Sequence, residues 1–355
     1  MRANPSVLRI RAGLLAAAAW GCLLAAAAGG EPAGMEWGGI LSTGRTQNLR
    51  FQAGAILGFE GVVSETTRRL YDVTGATESQ ALAERYDTSD FDLDGPFGAA
   101  GLSLDMAWKF IRLQVDSMFL APSVSTTARR DYYLTLNDDI SFNGRTYDHL
   151  MIPEGARFSA DLAGNVTELV LSFVPMGFRL GESVVVNPSL DAGVLLFGGR
   201  YEIDAGVSTG VTQYQNPPED FVVGGKASGL IGMGAPEWGP GVEVRIGKPG
   251  GVNWDFQVQY LFFSYDGSTA FFTTADHRDK DLEFDHRNLR LRGQVEIPMR
   301  DMAWSLGLQV QLAETEGTIS SSARDPEEIL ARRERFDKEF TFKVQAVYAT
   351  AGLSF

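Results

Sequence analysis

Apolar and polar side chains alternate along this chain with a period of two, in ten successive segments that begin after residue 47. Successive side chains of a β-strand point to opposite faces of the sheet, so each segment predicts a strand with one uncharged face and one face that accepts charge. The apolar positions run from Phe51 to Phe59, Ala100 to Trp108, Ile111 to Phe119, Thr167 to Phe173, Pro188 to Leu196, Trp238 to Ile246, Trp254 to Phe262, Leu289 to Ile297, Trp304 to Leu312 and Phe340 to Tyr348. The pattern predicts an all-β protein.

The spacing of the segments separates two β architectures, because a soluble β-sandwich also alternates, with its apolar face inward. Here the connections are alternately long and short, which is typical of membrane barrels with short turns on one side and long loops on the other. Tryptophans also fall at segment ends, where an aromatic girdle would meet the membrane surfaces; they are Trp108, Trp238, Trp254 and Trp304. We therefore expect a transmembrane antiparallel up-and-down β-barrel of about ten strands (8–12), with short periplasmic turns and long extracellular loops.

Composition narrows the functional classes. The formal net charge of −14 argues against a nucleic-acid binder, because such proteins carry a basic surface. The single cysteine, Cys22, excludes a disulfide scaffold and multi-cysteine metal sites. Beyond the N-terminus, no apolar run is long enough for a membrane-spanning helix.

The N-terminus has the three parts of a secretory signal. Arg2, Arg9 and Arg11 precede the apolar stretch 12–28, and small residues follow it. We expect a signal peptide at residues 1–30, a periplasmic N-terminal segment at 31–47 and the barrel with its loops at 48–355. An uncleaved anchor helix and a lipoprotein signal at Cys22 are the alternatives.

The chain stops at Phe355, and Leu353 precedes it on the same parity. Together with the signal and the loop rhythm, this ending resembles the C-terminal strand of Gram-negative outer-membrane β-barrel proteins. The resemblance implies an outer-membrane location, periplasmic termini, contact with outer-membrane lipid and lipopolysaccharide, and recognition by the barrel-assembly machinery. The last strand changes parity between its upper half and its end, so we expect a β-bulge near residues 349–352.

The polar face of the strands carries charges of both signs, and a ten-stranded barrel is narrow enough for side chains to fill. We therefore expect a lumen occupied by ion pairs rather than water. A narrow pore lined by Arg112, Arg245, Arg290 and Arg292 is the alternative. The predicted lumen charges are Asp105, Arg112, Asp116, Glu168, Glu243, Arg245, Asp255, Arg290, Arg292, Glu296 and Lys343.

The long loops contain three local signals. Residues 132–145 resemble a hairpin, which adds to the sheet above the membrane or, counted as spanning strands, raises the total to twelve. Capping signals predict short helices at 81–86 and 326–335. Asp90, Asp92 and Asp94 match the start of a calcium-binding loop but lack its closing glutamate, so they form a candidate calcium site of looser geometry.

The histidines give little support for catalysis. Ten-stranded barrels include the omptin surface proteases, which pair aspartates with an Asp–His couple. In this chain Asp276 and Asp285 directly precede His277 and His286, and adjacent residues of an extended chain point to opposite sides. We expect His286 to point inward and His277 to lie in a loop, and no base with a positioned partner is evident among these two and His149. We therefore predict no catalytic residue and no enzyme, but a structural or surface-interacting barrel whose extracellular partner is not identified; a narrow channel for small solutes and a hydrolase at the rim are the alternatives.

Overall fold

The structure is a computed structural model whose described residues are 34–37, 40, 47–71, 78–142, 145–205, 209–211, 225–248, 250–268, 280–321 and 338–354. Within these ranges the strands are β1 (Gly34–Trp37), β2 (Gln47–Glu60), β3 (Val62–Tyr71), β4 (Glu78–Asp87), β5 (Phe97–Trp108), β6 (Ile111–Leu120), β7 (Ser123–Thr127), β8 (Tyr132–Phe142), β9 (Arg145–Ile152), β10 (Arg157–Phe173), β11 (Met176–Leu180), β12 (Val184–Ala205), β13 (Thr209–Val211), β14 (Gly225–Ile246), β15 (Asn253–Ser268), β16 (Lys280–Met299), β17 (Met302–Ser321) and β18 (Lys338–Ser354). A 3₁₀ turn spans Thr88–Phe91. No described helix is long and apolar enough to cross a membrane.

Ten of the described strands form an antiparallel ring. The order is β2, β5, β6, β10, β12, β14, β15, β16, β17 and β18, and β18 pairs with β2. The ring closes between β10 and β12, where pairing runs from Phe158↔Ala205 to Phe173↔Leu190. Each ring strand lies beside its neighbours in the chain, so the predicted all-β up-and-down architecture of about ten strands is confirmed. A closed ring leaves no open edge at these levels, which is the condition for a sheet to stand in hydrocarbon.

The remaining described strands lie outside the ring. β8 pairs with β9 as the predicted hairpin, and β9 pairs with β13 in the same separate sheet, so the ring has ten strands rather than twelve.

The predicted helix at 81–86 is wrong. These residues belong to β4, which pairs with β3 from Val62↔Asp87 to Tyr71↔Glu78; this pairing outweighs the local capping signal. The predicted helix at 326–335 lies outside the described residues.

The two faces of the ring differ in chemistry over the half that carries the short turns. Its outer face exposes large apolar side chains such as Phe51 (68%) and Leu190 (64%), while Arg50, Asp105 and other charged groups are buried inside. On β16 the uncharged outer positions run from Ile297 to Leu289 and are followed by Arg287. This length matches the roughly 9–11 residues that a tilted strand needs to cross hydrocarbon. The apolar outer face is therefore a membrane-spanning surface.

Two strands depart from the predicted facing. The pairing of β2 with β18 shifts by one residue between Gly58↔Gln345 and Ile56↔Ala346, which is a bulge at Leu57. Because the bulge reverses the parity of β2, Phe59 is buried inside the ring instead of facing outward. The tenth segment is also reversed, since Phe342, Val344, Ala346 and Tyr348 are buried. Their strand keeps one parity down to the buried Ser354, so the bulge expected at 349–352 is wrong.

Both ends of the ring sequence lie at the short-turn end. Asn48, near the start of β2, pairs with Ser354 at the end of β18. The backbone N–H of Ile40 donates to the carbonyl of Lys109, in the two-residue turn between β5 and β6, at 2.5 Å. At the same end β1 pairs with β11, which forms a hairpin with the start of β12. The long connections 61–96 and 121–156 lie at the opposite end.

Candidate functional site: the barrel interior

The lower interior, at the short-turn end, is organised around Asp105 on β5. Its carboxylate lies 2.6 Å from the guanidinium of Arg112, 3.1 Å from that of Arg50 and 3.2 Å from that of Arg292. Arg112 is on the neighbouring β6, whereas Arg292 projects from β16, four strands away in the ring. All four side chains are buried. One carboxylate therefore joins three cations from different parts of the wall.

A second set of ion pairs continues from Arg112. Its other nitrogen lies 2.6 Å from Glu243, and Glu243 lies 2.9 Å from Arg245. Arg245 in turn lies 3.2 Å from Asp255 on β15. Cations and carboxylates thus alternate along the chain of contacts. This arrangement meets the requirement that buried charges be paired.

Side chains from opposite walls meet at mid-height. Arg290 on β16 binds Asp116 on β6, and its guanidinium lies 3.1 Å from Glu168 on β10. Gln311 on β17 donates to Glu168 at 2.7 Å. In a ring of ten, β16 is diametrically opposite β6, and β17 is diametrically opposite β10. These contacts therefore cross the full width of the lumen.

The upper edge of this network contains a histidine between a hydroxyl and a carboxylate. His286 Nδ1 lies 2.8 Å from Thr315 Oγ1, and its Nε2 lies 3.1 Å from Glu237. Asn288 donates to the same Glu237 oxygen at 2.9 Å. The three groups have the types of a hydroxyl–His–carboxylate triad, but all are buried inside the wall, with His286 1% exposed. A substrate would need a route to Thr315 before this arrangement could act on it.

Adjacent Asp and His residues do point to opposite sides. Asp285 bonds to Ser264, a side chain exposed outside the ring, whereas His286 is buried inside it. The pair therefore forms no Asp–His couple. His149 lies on β9, opposite Thr135 and Val211, and His277 lies outside the described residues.

Above the polar network the interior becomes apolar. Phe59, Phe197 and Phe342 contact one another with ring centroids 5.0–5.7 Å apart. Loop residues complete the packing, since Phe91 contacts Phe158 of β10 at 5.9 Å. The cluster extends through both ring strands and loops. The long-loop end of the barrel is thus closed by a hydrophobic core.

Ten of the predicted lumen charges are buried inside the ring, and Lys343 is not. It is half-buried on the outward parity of β18, 3.0 Å from Glu314 and 3.4 Å from Glu60. Because the upper half of β18 faces the opposite way from the prediction, the Lys343 side chain lies outside the ring instead of in the lumen. The ten are Asp105, Arg112, Asp116, Glu168, Glu243, Arg245, Asp255, Arg290, Arg292 and Glu296. Three further charges in the described part of the chain are buried inside the ring. Arg50 and Glu237 each lie on the polar parity one residue before a predicted segment, and Asp191 lies on the polar parity within the fifth segment.

The structure gives two aspartates of the candidate calcium site other partners. Asp92 binds Arg129 and Thr126, and Asp90 accepts the backbone N–H of Asp87 at 2.9 Å, while its other oxygen lies 3.6 Å from Arg130. Among the described residues, no three Asp, Glu, His or Cys side chains are grouped to hold a metal ion. Arginines thus contact two of the three carboxylates, and calcium binding by Asp90, Asp92 and Asp94 stays a prediction.

The predicted girdle tryptophans are exposed on the outer face. Trp108, Trp254 and Trp304 lie beside the short turns, and Trp238 packs on Phe262 at 4.5 Å further up the wall. Leu353 lies on the outward parity of β18, and Phe355 is outside the described residues. The role of Leu353 and Phe355 in assembly stays a prediction.

A surface ion cluster lies above the apolar band on β12 and β14. Lys226 donates to Glu202 at 2.7 Å and lies 3.2 Å from Asp204. The hydrogen bond from Lys226 holds the pKa of Glu202 below its ordinary value, and the same bond raises the pKa of Lys226. In the loops, burial raises the pKa of Tyr132, whose hydroxyl donates to the carbonyl of Asp90 at 2.9 Å.

No protein-family model matches this chain, and no curated protein matches it. Among solved structures, the outer membrane protease OmpT from Escherichia coli is similar to it with a TM-score of 0.34 and 10% sequence identity, over 89% of this chain and 98% of that chain. The barrel fold is established by the strand pairing of this chain.

Proposed function

We propose that this protein is a non-conducting outer-membrane barrel with a structural and surface-presenting role. The observation that carries the proposal is the direct contact between opposite walls, Arg290 with Asp116 and Gln311 with Glu168. Such contacts fill the lumen at mid-height, and the apolar core closes it above. A pore would need the paired charges to separate and to be rehydrated.

The orientation follows from the loops. The large described connections at one end carry charged, exposed side chains such as Arg129 and Arg130, and we assign this end to the cell exterior. The termini and short turns then face the periplasm. Outer-membrane lipid and lipopolysaccharide would contact the apolar wall, and the barrel-assembly machinery would recognise Leu353 and Phe355. Trypsin added to intact cells should cut after Arg129 or Arg130, and protection of both sites would reverse the orientation.

Planar-bilayer recording tests the closed lumen. The folded protein should give no steady current, whereas a variant that combines Arg290→Ala/Glu168→Ala with Phe59→Ala/Phe342→Ala should conduct, because it removes both the side chains that meet across the lumen and the apolar packing above them. Arg287→Ala is the matched control, since Arg287 neighbours Arg290 on the outward parity of the same strand. Steady open-state currents from the unmodified protein would refute the proposal and favour the narrow channel.

The hydrolase alternative depends on His286 and Thr315. Both are buried, so activity on peptides or lipids in solution is not expected. Activity that disappears in both His286→Ala and Thr315→Val would instead establish the enzyme.

A further inference from the structure

Above the membrane band, the ladder between β14 and β15 ends below the upper ends of both strands. Between β14 and β15 the uppermost pair is Trp238↔Phe262, although β14 continues to Gly225 and β15 to Ser268. Both continuations remain paired on their other sides, with β12 and β16 respectively. Within 225–237 and 263–268, no residue of β14 pairs with β15. We call this interval the β14–β15 seam.

Two prolines lie where the pairing stops. A pair of opposite residues in an antiparallel ladder either exchanges two N–H···O bonds or has its N–H groups directed away, and proline has no N–H. Pro236↔Val194 and Pro240↔Leu190 are both paired with β12, so they are of the second kind and their nitrogens face β15. Neither can donate to β15, and Pro240 itself lacks a β15 partner. The two prolines therefore remove two hydrogen-bond donors at the lower end of the interruption.

Apolar groups flank the seam on both sides of the wall. Inside, Phe263 and Tyr265 of β15 pack on Phe284 of β16 with ring centroids 5.8 and 5.9 Å apart, and Ile231 of β14 is buried. Outside, Leu230 is 85% exposed.

The outer face of β14 also carries no charge between Ile246 and Ser228, whereas β16 already carries the outward Arg287 just above Leu289. The hydrocarbon surface of the barrel thus continues up β14 to the seam. The seam lies between this surface and the apolar upper interior.

From this continuity we propose that the seam is a lateral binding site for one acyl chain of an outer-leaflet amphiphile. The chain would pass from the membrane, beside Trp238 and Phe262, and end in the seam against Phe263 and Phe284, at the edge of the apolar core. The polar network below it, beginning at Glu237 and His286, prevents deeper penetration of hydrocarbon. The site depends on the proposed membrane orientation but not on whether the lumen conducts.

Binding of cis-parinaric acid, an 18-carbon fatty acid that fluoresces in apolar surroundings, tests the site on the folded protein in amphipol. We expect one equivalent to bind. Pro236→Val/Pro240→Val restores two donors facing β15 and should weaken binding at least tenfold by extending the ladder. Pro298→Val, a change in β16 near the short-turn end, is the matched control and should leave binding unchanged.

A cross-seam disulfide reports the opening without a ligand. Ala235→Cys/Tyr265→Cys places cysteines opposite each other if the register of Trp238↔Phe262 continued upward. In a chain lacking Cys22, this disulfide should form in the valine background and fail in the proline background, because the bond requires Cα atoms within about 7 Å.

Ready disulfide formation with both prolines present would overturn the proposal. So would parinaric acid binding that is equal in the two backgrounds or exceeds one equivalent everywhere, since that indicates adsorption to the outer wall. Conductance recorded on the same preparation separates this result from failure of the closed-lumen proposal.

Discussion

Removing the Asp105 carboxylate should be among the most destabilising single changes in the lower barrel. Asp105→Ala leaves the guanidinium groups of Arg50, Arg112 and Arg292 without the acid they share at 2.6–3.2 Å. Arg112 keeps Glu243, whereas Arg50 and Arg292 keep only neutral glutamine partners. Breaking a buried ion pair costs about 3–5 kcal/mol, and the surviving contacts keep the expected loss of unfolding free energy within that range rather than a multiple of it.

Reversible urea unfolding in lipid vesicles, followed by tryptophan fluorescence, measures this loss. Glu182→Ala is the matched control, because Glu182 is 88% exposed in its 3.6 Å contact with Lys248 and such pairs contribute about 0–1 kcal/mol. A triple variant that also replaces Arg50 and Arg292 with methionine should recover much of the stability. A loss below about 1 kcal/mol for Asp105→Ala would show that water, not ion pairs, surrounds these cations.

Three further changes test separate parts of the structure. Val258→Arg places a charge on the outer face of β15 and should cost roughly 2–4 kcal/mol in the same unfolding assay; a neutral effect in an inserted protein would contradict the lipid-facing wall. Lys226→Met should raise the pKa of Glu202 toward its ordinary value in an NMR titration, because the Lys226 hydrogen bond is the main cause that lowers it. Because the pKa of Glu202 is lowered in the folded state, the Lys226–Glu202 pair stabilises the fold at pH values above the unfolded-state pKa. This stabilisation is lost as the pH falls through the folded-state pKa. Millimolar calcium should produce no heat in calorimetry, because Asp92 is paired with Arg129. Arg129→Ala should also give no heat of calcium binding.

The alternation of side chains was sufficient to predict the ring, its ten strands and most of the buried charges, because these depend on local period and loop length. The bulge at Leu57 was not predictable, since it becomes visible only when β2 is aligned with β18. The capping residues before Ala81 predict a helix from a purely local signal, whereas β3, the strand whose pairing overrides that signal, is recognised only in the structure. Arg50 and Glu237 were missed only because the predicted segments began one residue too late.

The interior contacts required the structure for a different reason. Period two states which side chains point inward but not which of them meet across a lumen, since that depends on the relative heights of strands on opposite walls. Arg290 and Asp116 are far apart in the sequence and lie on facing strands. The seam could be predicted only in part. Pro236 and Pro240 are visible in the sequence, but the direction of their nitrogens follows only from the pairing with β12.

The last strand was assigned to the wrong face because the strands exchange the chemistry of their two faces as they leave the membrane. On β12 the inward residues change from Asp191 to Phe197 and Ile203, while the outward residues change from Leu190 to Glu202. In hydrocarbon the outer face must be apolar, and an interior of paired charges then fixes which face is inward. In water the requirement is the opposite, so the same ring encloses an apolar core.

β18 makes the same exchange near Tyr348, with Thr350 inward below it and Val344 inward above. The period of two therefore continues through β18, but the apolar residues lie on the outer face below the membrane boundary and on the inner face above it. β14 is the exception, because its outer face stays uncharged up to Ser228 instead of becoming polar. A strand that keeps a lipid-compatible face above the level where β16 turns polar, and that is unpaired with β15 at the same level, is what a lateral site for an acyl chain requires.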